Sequence, residues 1–189
     1  MTIVLFTEDG PTGEAISILA RRILSTTGKN VKVKRRQVNR GDIFKNPRKL
    51  AAFINLAQQK EKSRIIVCVD SECTPSAVTE QNLKPCKDHV QKVKLAAHFI
   101  VVVHALETWL AADPNALRSA FSIKSEVKVP GHLESECRPA DMLARLIKKH
   151  GFEFIKSRDD VKIAGYADPK LLAQRCSSFA QFQKILLAK

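Results

Sequence analysis

The chain has 189 residues, of which 44% are hydrophobic and 27% are charged. These proportions are typical of a folded globular protein and exclude wholesale disorder. Thirty-two Lys and Arg residues against nineteen Asp and Glu residues leave a formal net charge of +13, which favours a polyanionic partner such as nucleic acid over an acidic small molecule. A basic protein without such a partner is the alternative.

The N-terminal residues bear on the location of the protein, and the cysteines bear on whether it contains disulfides or a zinc site. The first apolar run, residues 2–6, has no basic segment before it and is too short for a signal peptide or a membrane span, so we expect a cytoplasmic protein. The cysteines are odd in number and form no CxxC pair, which predicts neither a disulfide framework nor a zinc site. They are Cys68, Cys73, Cys86, Cys137 and Cys176.

The first two thirds of the chain alternate strand and helix patterns. Apolar runs rich in β-branched residues indicate buried strands, and residues 31–38 alternate valines with basic residues, as in a half-exposed edge strand. The predicted strands are 2–7, 31–38, 64–69 and 98–103, and the predicted helices are 14–26, 47–60 and 105–112. We read residues 71–85, which contain two prolines, as a loop that can include a short helix, and residues 86–95 as a weak helix.

Beyond residue 115 the pattern becomes helical, with helices predicted over 140–149, 168–176 and 179–187. The alternation that precedes it predicts an α/β fold with a mainly parallel sheet covered by helices on both faces. We therefore expect a core over residues 1–114 and a helical C-terminal extension over residues 115–189.

Acidic residues follow or lie just beyond three of the apolar runs. Glu8 follows the first, Asp70 and Glu72 follow the strand at 64–69, and Glu107 comes shortly after the strand at 98–103. The carboxyl ends of parallel strands meet at one edge of a sheet, where ligands bind. Carboxylates gathered there repel one another unless a cation joins them, and oxygen ligands suit Mg²⁺ or Mn²⁺. The sequence thus predicts a divalent metal site.

Other interpretations of these motifs stay open. Glu8 and Asp9 can simply cap the following helix, whose first amides could otherwise receive a phosphate. Gly10 and Gly13 permit positive φ in the turn between strand and helix, but the Walker pattern and its lysine are missing. Trp109 is more typical of a core anchor than of a base-stacking platform.

A basic tract lies between the first two acidic motifs. Residues 29–49 contain nine Lys and Arg residues and one acid, Asp42. Such a tract can grip a phosphate backbone through contacts that do not depend on sequence, or it can be a solvated edge strand that protects against aggregation. The candidate nucleic-acid contacts are Lys32, Lys34, Arg35, Arg36 and Arg40.

The order Glu8, Asp70-Ser-Glu72 and Glu107-Thr-Trp109 resembles the Toprim-like superfamily, which places a Glu after the first strand and an Asp-x-Asp after a later one. The stretches 6–12, 106–113 and 175–179 are similar to a small stand-alone Toprim-like family of unknown function. The resemblance implies a Toprim-like (Rossmannoid) fold. It also implies that Glu8 acts as an acid/base or metal ligand, that Asp70 and Glu72 bind metal, and that Glu107 is a fourth ligand. Glu72 departs from the commoner Asp.

The resemblance further implies phosphodiester chemistry with Mg²⁺ or Mn²⁺, and an ATPase partner in prokaryotic defence. Our leading expectation is a metal-dependent nuclease that cleaves DNA or RNA, with Glu8, Asp70 and Glu72 as catalytic residues. A non-cleaving nucleic-acid-binding or adaptor subunit of an ATPase complex is the second hypothesis. A phosphohydrolase for small phosphoesters is the third, although the charge of +13 exceeds what such a substrate requires.

Overall fold

Four strands in the described part of the chain run parallel in one sheet. A computed structural model describes residues 1–28, 30–60 and 63–188. The strand order is β2-β1-β3-β4, so β2 and β4 are the edges. Each strand lies within one residue of its predicted position. The strands are β1 (Thr2–Thr7), β2 (Lys32–Gln37), β3 (Ser63–Asp70) and β4 (Ala97–Val102).

Helices connect the strands and make up the C-terminal part of the chain. They are α1 (Gly10–Ser25), α2 (Arg40–Lys45), α3 (Pro47–Lys60), α4 (Ser76–Lys92), α5 (Leu106–Leu110), α6 (Pro114–Phe121), α7 (Pro139–Lys148), α8 (Lys156–Tyr166), α9 (Pro169–Arg175) and α10 (Ser177–Leu187). Within the described residues, no helix combines the length and the apolar character needed to cross a lipid bilayer.

The sheet separates two hydrophobic cores because successive side chains of a strand point to opposite faces. Ile3 and Leu5 of β1 face α1 and the C-terminal helices, whereas Val4 and Phe6 face α2, α3 and α4. The prediction of an α/β fold with helices on both faces of a parallel sheet is confirmed. The helices after residue 114 complete one of the two layers, since α8 and α10 pack directly on α1.

The prediction of a loop over residues 71–85 was wrong for most of this range, because α4 begins at Ser76. The buried residues of α4 recur at helical spacing and face the core to which α3 also contributes. They are Thr79, Leu83, Cys86 and Val90. Pro85 lies inside the helix on an exposed position. Burial of the apolar face therefore outweighs the hydrogen bond that the proline removes.

The turn predicted over residues 8–13 is largely the first turn of α1, which begins four residues earlier than expected. Neither Gly10 nor Gly13 has positive φ, so that part of the prediction was wrong. A Cβ at Gly13 would overlap Thr7 Oγ1 of β1. Any larger residue there would force the Thr7 side chain to shift, because the helix passes very close to the strand.

The expectation of no disulfide was wrong for one pair, since Cys73 and Cys137 are joined. They are 64 residues apart in sequence, but the fold brings their Cα atoms to 5.0 Å, a separation that a disulfide spans. Cys68, Cys86 and Cys176 are buried free thiols.

Candidate functional site

A cleft of about 360 Å³ lies at the carboxyl ends of β1, β3 and β4. Its walls include all four acids predicted to bind metal, namely Glu8, Asp70, Glu72 and Glu107. The remaining wall comes from the start of α7 and from Lys156 at the start of α8. The cleft therefore draws on both of the predicted parts of the chain.

Asp70 ends β3 and lies at the centre of the acidic group. Burial raises the pKa of its carboxyl well above the ordinary value, and the negative charges of Glu8 and Glu107 raise it further. No described donor makes a hydrogen bond to its carboxyl oxygens. A carboxyl in this position either retains a proton or receives a cation.

Arg40 occupies the space between two of the predicted ligands. Its Nη1 lies 2.7 and 2.9 Å from the two carboxylate oxygens of Glu8 and also donates to the backbone oxygen of Asp70 at 2.9 Å. Its Nη2 lies 3.8 Å from Glu72 Oε2. Arg40 was predicted to contact nucleic acid from the basic tract, but the structure places it inside the acidic site, where it neutralises Glu8.

Two residues with left-handed backbone shape the rim of the cleft. Glu72 has φ of 53° and His104 has φ of 59°, a conformation that costs energy for residues other than glycine. Glu72 N donates to His104 O at 2.7 Å, and His104 N donates to the buried Ser71 Oγ at 2.8 Å. These bonds connect the ends of β3 and β4, and they leave the Glu72 side chain 66% exposed.

A buried ionic cluster lies behind Asp70. Glu107 is fully buried, and its Oε1 lies 2.8 Å from Lys156 Nζ in an ion pair that is not aligned as a hydrogen bond, while its Oε2 has no described partner. Asp160, one turn after Lys156 on α8, is also fully buried, and neither of its oxygens has a hydrogen-bond partner among the described residues. Burial and the charge of Glu107 raise the pKa of Asp160 to about 8.

Lys156 and Asp160 were not predicted as site residues, because no helix was predicted over residues 156–166. The start of α8 is rich in charge, and two of the residues that it buries are aspartates, which weakens the apolar periodicity. The single sequence signal was a pair of adjacent acids, Asp159 and Asp160. Asp159 has a local role, since it accepts from Arg158 and from the backbone N–H of Ile155.

Five carboxyl groups form one electrostatic network, in which each group either raises the pKa of a neighbouring carboxyl or has its own pKa raised. They are Glu8, Asp9, Asp70, Glu107 and Asp160. Two cations, Arg40 and Lys156, pair with members of this network. The network therefore carries excess negative charge if all five groups ionise.

This donor chemistry fits a hard divalent cation, because Glu107 and Asp160 have buried carboxylate oxygens without a hydrogen-bond partner among the described residues, and the Asp70 carboxyl lies in the adjoining cleft. Across the described ranges, however, no three His, Cys, Asp or Glu side chains are grouped closely enough to hold a metal ion. Glu8 in particular is engaged by Arg40. Binding through Glu8 therefore requires the Glu8–Arg40 pair to open.

Both carboxylate oxygens of Asp9 are already occupied by hydrogen bonds. Its carboxylate accepts from Thr12 N at 2.7 Å and from Thr12 Oγ1 at 3.0 Å, and it thereby caps α1. The capping interpretation is thus confirmed for Asp9. Its side chain occupies the place at the start of α1 where a phosphate was considered.

The basic tract divides between the two faces of the edge strand β2. The register of β2 on β1 places Arg35 on the α1 face, where it bonds Gly10 O at 2.8 Å and pairs with Glu14 at 3.0 Å. Lys32, Lys34 and Arg36 alternate with it and belong to the opposite face. Lys29 lies outside the described residues. The predicted tract thus spreads positive charge around an edge instead of lining one groove.

Trp109 is fully buried, as predicted for a core anchor. Its ring packs edge-on against Phe179 with centroids 5.0 Å apart, and its Nε1 donates to Ser178 Oγ at 2.8 Å. The motif that contains Glu107 is therefore fixed to α10 by an aromatic cluster. This anchoring holds α5, and with it Glu107, in a defined position behind the cleft.

In comparisons with known proteins, no curated protein and no solved structure matches the chain. One family model does match, over residues 10–187, a range that includes Asp70, Glu72, Glu107 and the C-terminal helices and begins just after Glu8. The chain therefore belongs to the family described as a domain of unknown function (DUF4276).

Proposed function

We propose that this protein is a divalent-cation-dependent nuclease whose centre is the acidic cleft. The observation that carries the proposal is the state of Asp70, a carboxyl that lines the cleft, receives no hydrogen bond from the described residues, and has its pKa raised by burial and by Glu8 and Glu107. The ionised form of such a carboxyl destabilises the folded protein, and a bound cation that compensates the negative charge removes this destabilisation. Perturbed carboxyls in a cleft are typical of functional sites.

In this proposal Glu8, Asp70 and Glu72 hold Mg²⁺ or Mn²⁺, and Glu107 is the fourth ligand. When bound, the cation lowers the pKa of water and neutralises the scissile phosphate. With a cation bound at Glu8, Arg40 would no longer be needed to compensate that carboxylate, and its guanidinium could pair with a phosphate oxygen. Glu72 is best placed to move, since its side chain is the most exposed of the four.

The substrate class follows from charge and from the Toprim resemblance. A net charge of +13 attracts DNA or RNA, and Lys32, Lys34, Arg35 and Arg36 supply part of it along the edge strand. The proposal places the protein in the cytoplasm. An ATPase partner, and a role in prokaryotic defence, enter the proposal through the resemblance alone.

Cleavage assays test this function. Labelled single- and double-stranded DNA and RNA are incubated with the wild type, with Asp70→Asn and with Asp88→Asn, in Mg²⁺, Mn²⁺ or EDTA. Asp88 is an exposed acid on α4 paired with Lys84, so its variant controls for loss of one charge. We expect metal-dependent product from the wild type and from Asp88→Asn only. Equal product from Asp70→Asn would refute the proposal.

A second candidate function rests on the Glu8–Arg40 pair. Because Arg40 already compensates Glu8, the cleft can persist without a cation, as in a subunit that binds nucleic acid but does not cleave it. Salt-dependent binding of DNA or RNA without any metal-dependent product would favour this alternative. The affinity would then fall steeply with ionic strength, as phosphate contacts require.

A further inference from the structure

The Cys73–Cys137 disulfide closes one side of the acidic cleft. Cys73 directly follows Glu72 in the segment between β3 and α4, and Cys137 lies two residues before α7. Both cysteines line the cleft, as does Glu72. The bond is thus a covalent strap between the two walls of the cleft opening, next to a proposed metal ligand.

The two bonded cysteines differ from the other three in accessibility. Cys73 and Cys137 are exposed, so a small thiol can reach either sulfur. Cys68, Cys86 and Cys176 are buried, and burial raises the pKa of each thiol, to about 12 for Cys176. A buried thiol with a raised pKa is inert. Exchange chemistry is therefore confined to the pair at the cleft.

We propose that Cys73 and Cys137 form a thiol-exchange site that controls access to the cleft. The co-reactant is a low-molecular-weight thiol of the glutathione class. Its thiolate attacks one sulfur, which breaks the protein disulfide and leaves a mixed disulfide and one protein thiolate. A second thiol attacks the mixed disulfide. Two thiols are oxidised to one disulfide, and both protein cysteines become thiols.

Among the described residues, His104 and the sulfur of Cys73 also link the two walls. His104 Nδ1 lies 2.6 Å from Glu72 O and its Nε2 lies 3.0 Å from Glu134 O, and Cys73 Sγ lies 3.2 Å from Cys137 O. Both partners of His104 are carbonyl oxygens that only accept, so each of these hydrogen bonds must be donated by a ring N–H of His104. Glu134 itself stays anchored to α10 through Ser177 and Ser178. The freed parts are therefore residues 73–75 and 136–138.

Native alkylation and hydrogen exchange test this inference. The protein is equilibrated in buffers of varied reduced-to-oxidised glutathione ratio and then treated with iodoacetamide without unfolding. Intact mass should show two labels on the reduced protein and none on the oxidised protein. Backbone amides in peptides that cover 73–75 and 136–138 should exchange at least about threefold faster in the reduced protein, because the strap limits local opening.

Cys73→Ser and Cys137→Ser provide matched variants. Each should exchange like the reduced wild type in both buffers, and peptides from β1 should not change. The inference is overturned if oxidised glutathione fails to form the bond, or if exchange at the two segments is the same in both redox states. Neither readout measures cleavage, so failure here leaves the proposed nuclease function standing, and loss of that function leaves this inference standing.

Discussion

Asp160 gives the sharpest test of the electrostatics behind the cleft. It is fully buried, and no described residue makes a hydrogen bond to its carboxyl oxygens. Its pKa rises from 3.8 to about 8, first because of burial and then because of Glu107, while Lys156 opposes the shift. The folded protein thus holds a proton that the unfolded chain releases. For an acid with a raised folded-state pKa, stability is lost as pH rises from about 4 to about 8.

The size of the effect follows from this shift. One pKa unit corresponds to about 1.4 kcal/mol, so the proton that Asp160 releases on unfolding lowers stability by about 2 to 3 kcal/mol between pH 5 and pH 7. Asp160→Asn cannot ionise and has nearly the same shape. Its amide lacks partners as well, but that cost does not change with pH.

Urea unfolding at pH 5, 6 and 7 measures the difference. The free energy of unfolding of Asp160→Asn, relative to that of the wild type, should increase by about 2 to 3 kcal/mol from pH 5 to pH 7. Asp88→Asn on the surface of α4 should show no such trend. A relative stability of Asp160→Asn that stays constant within about 0.5 kcal/mol across this range would refute the account of the buried cluster.

Three further predictions concern packing and charge. Gly13→Ala should destabilise the fold by about 1 to 3 kcal/mol because the new Cβ meets β1, whereas Gly41→Ala, where a Cβ meets nothing within 4 Å, should not; thermal melts of both variants check this. Arg40→Ala leaves the Glu8 carboxylate without its cationic partner. The Tm of this variant in EDTA should therefore be lower than that of the wild type, and Mn²⁺ should raise the Tm of the variant by more than it raises that of the wild type. Equal Mn²⁺ shifts in the two proteins would contradict this. Trp109→Ala should cost about 3 to 5 kcal/mol in denaturant unfolding, as for other fully buried aromatic rings, and a loss below about 1 kcal/mol would argue against its role as anchor.

The parts of the fold that the sequence predicted are those with local signals. All four strands were predictable because each is a short run with β-branched or alternating character. Glu8 and Asp70 were predictable as neighbours because parallel strands that sit side by side end at the same edge. Their proximity needs only the strand order, which the fold class restricts.

The missed parts depend on packing between distant segments. Lys156 reaches the cleft, and Asp160 the buried cluster behind it, because α8 packs on α1, a contact that no local pattern encodes. Cys73 and Cys137 lie 64 residues apart, and their pairing follows only once α7 is placed against the end of the sheet. Arg40 was read as one of a row of basic residues, but its position at the start of α2 directs it to Glu8.

Binding of Mn²⁺ to the protein tests the central claim most directly. Paramagnetic resonance of free Mn²⁺, titrated with the wild type, Asp70→Asn and Asp88→Asn at pH 8, reports the bound ion without requiring a substrate. The account predicts saturable binding by the wild type and Asp88→Asn, and at least about tenfold weaker binding by Asp70→Asn because one carboxylate ligand is lost. Equal Mn²⁺ affinity in all three proteins, or none in the wild type, would contradict it.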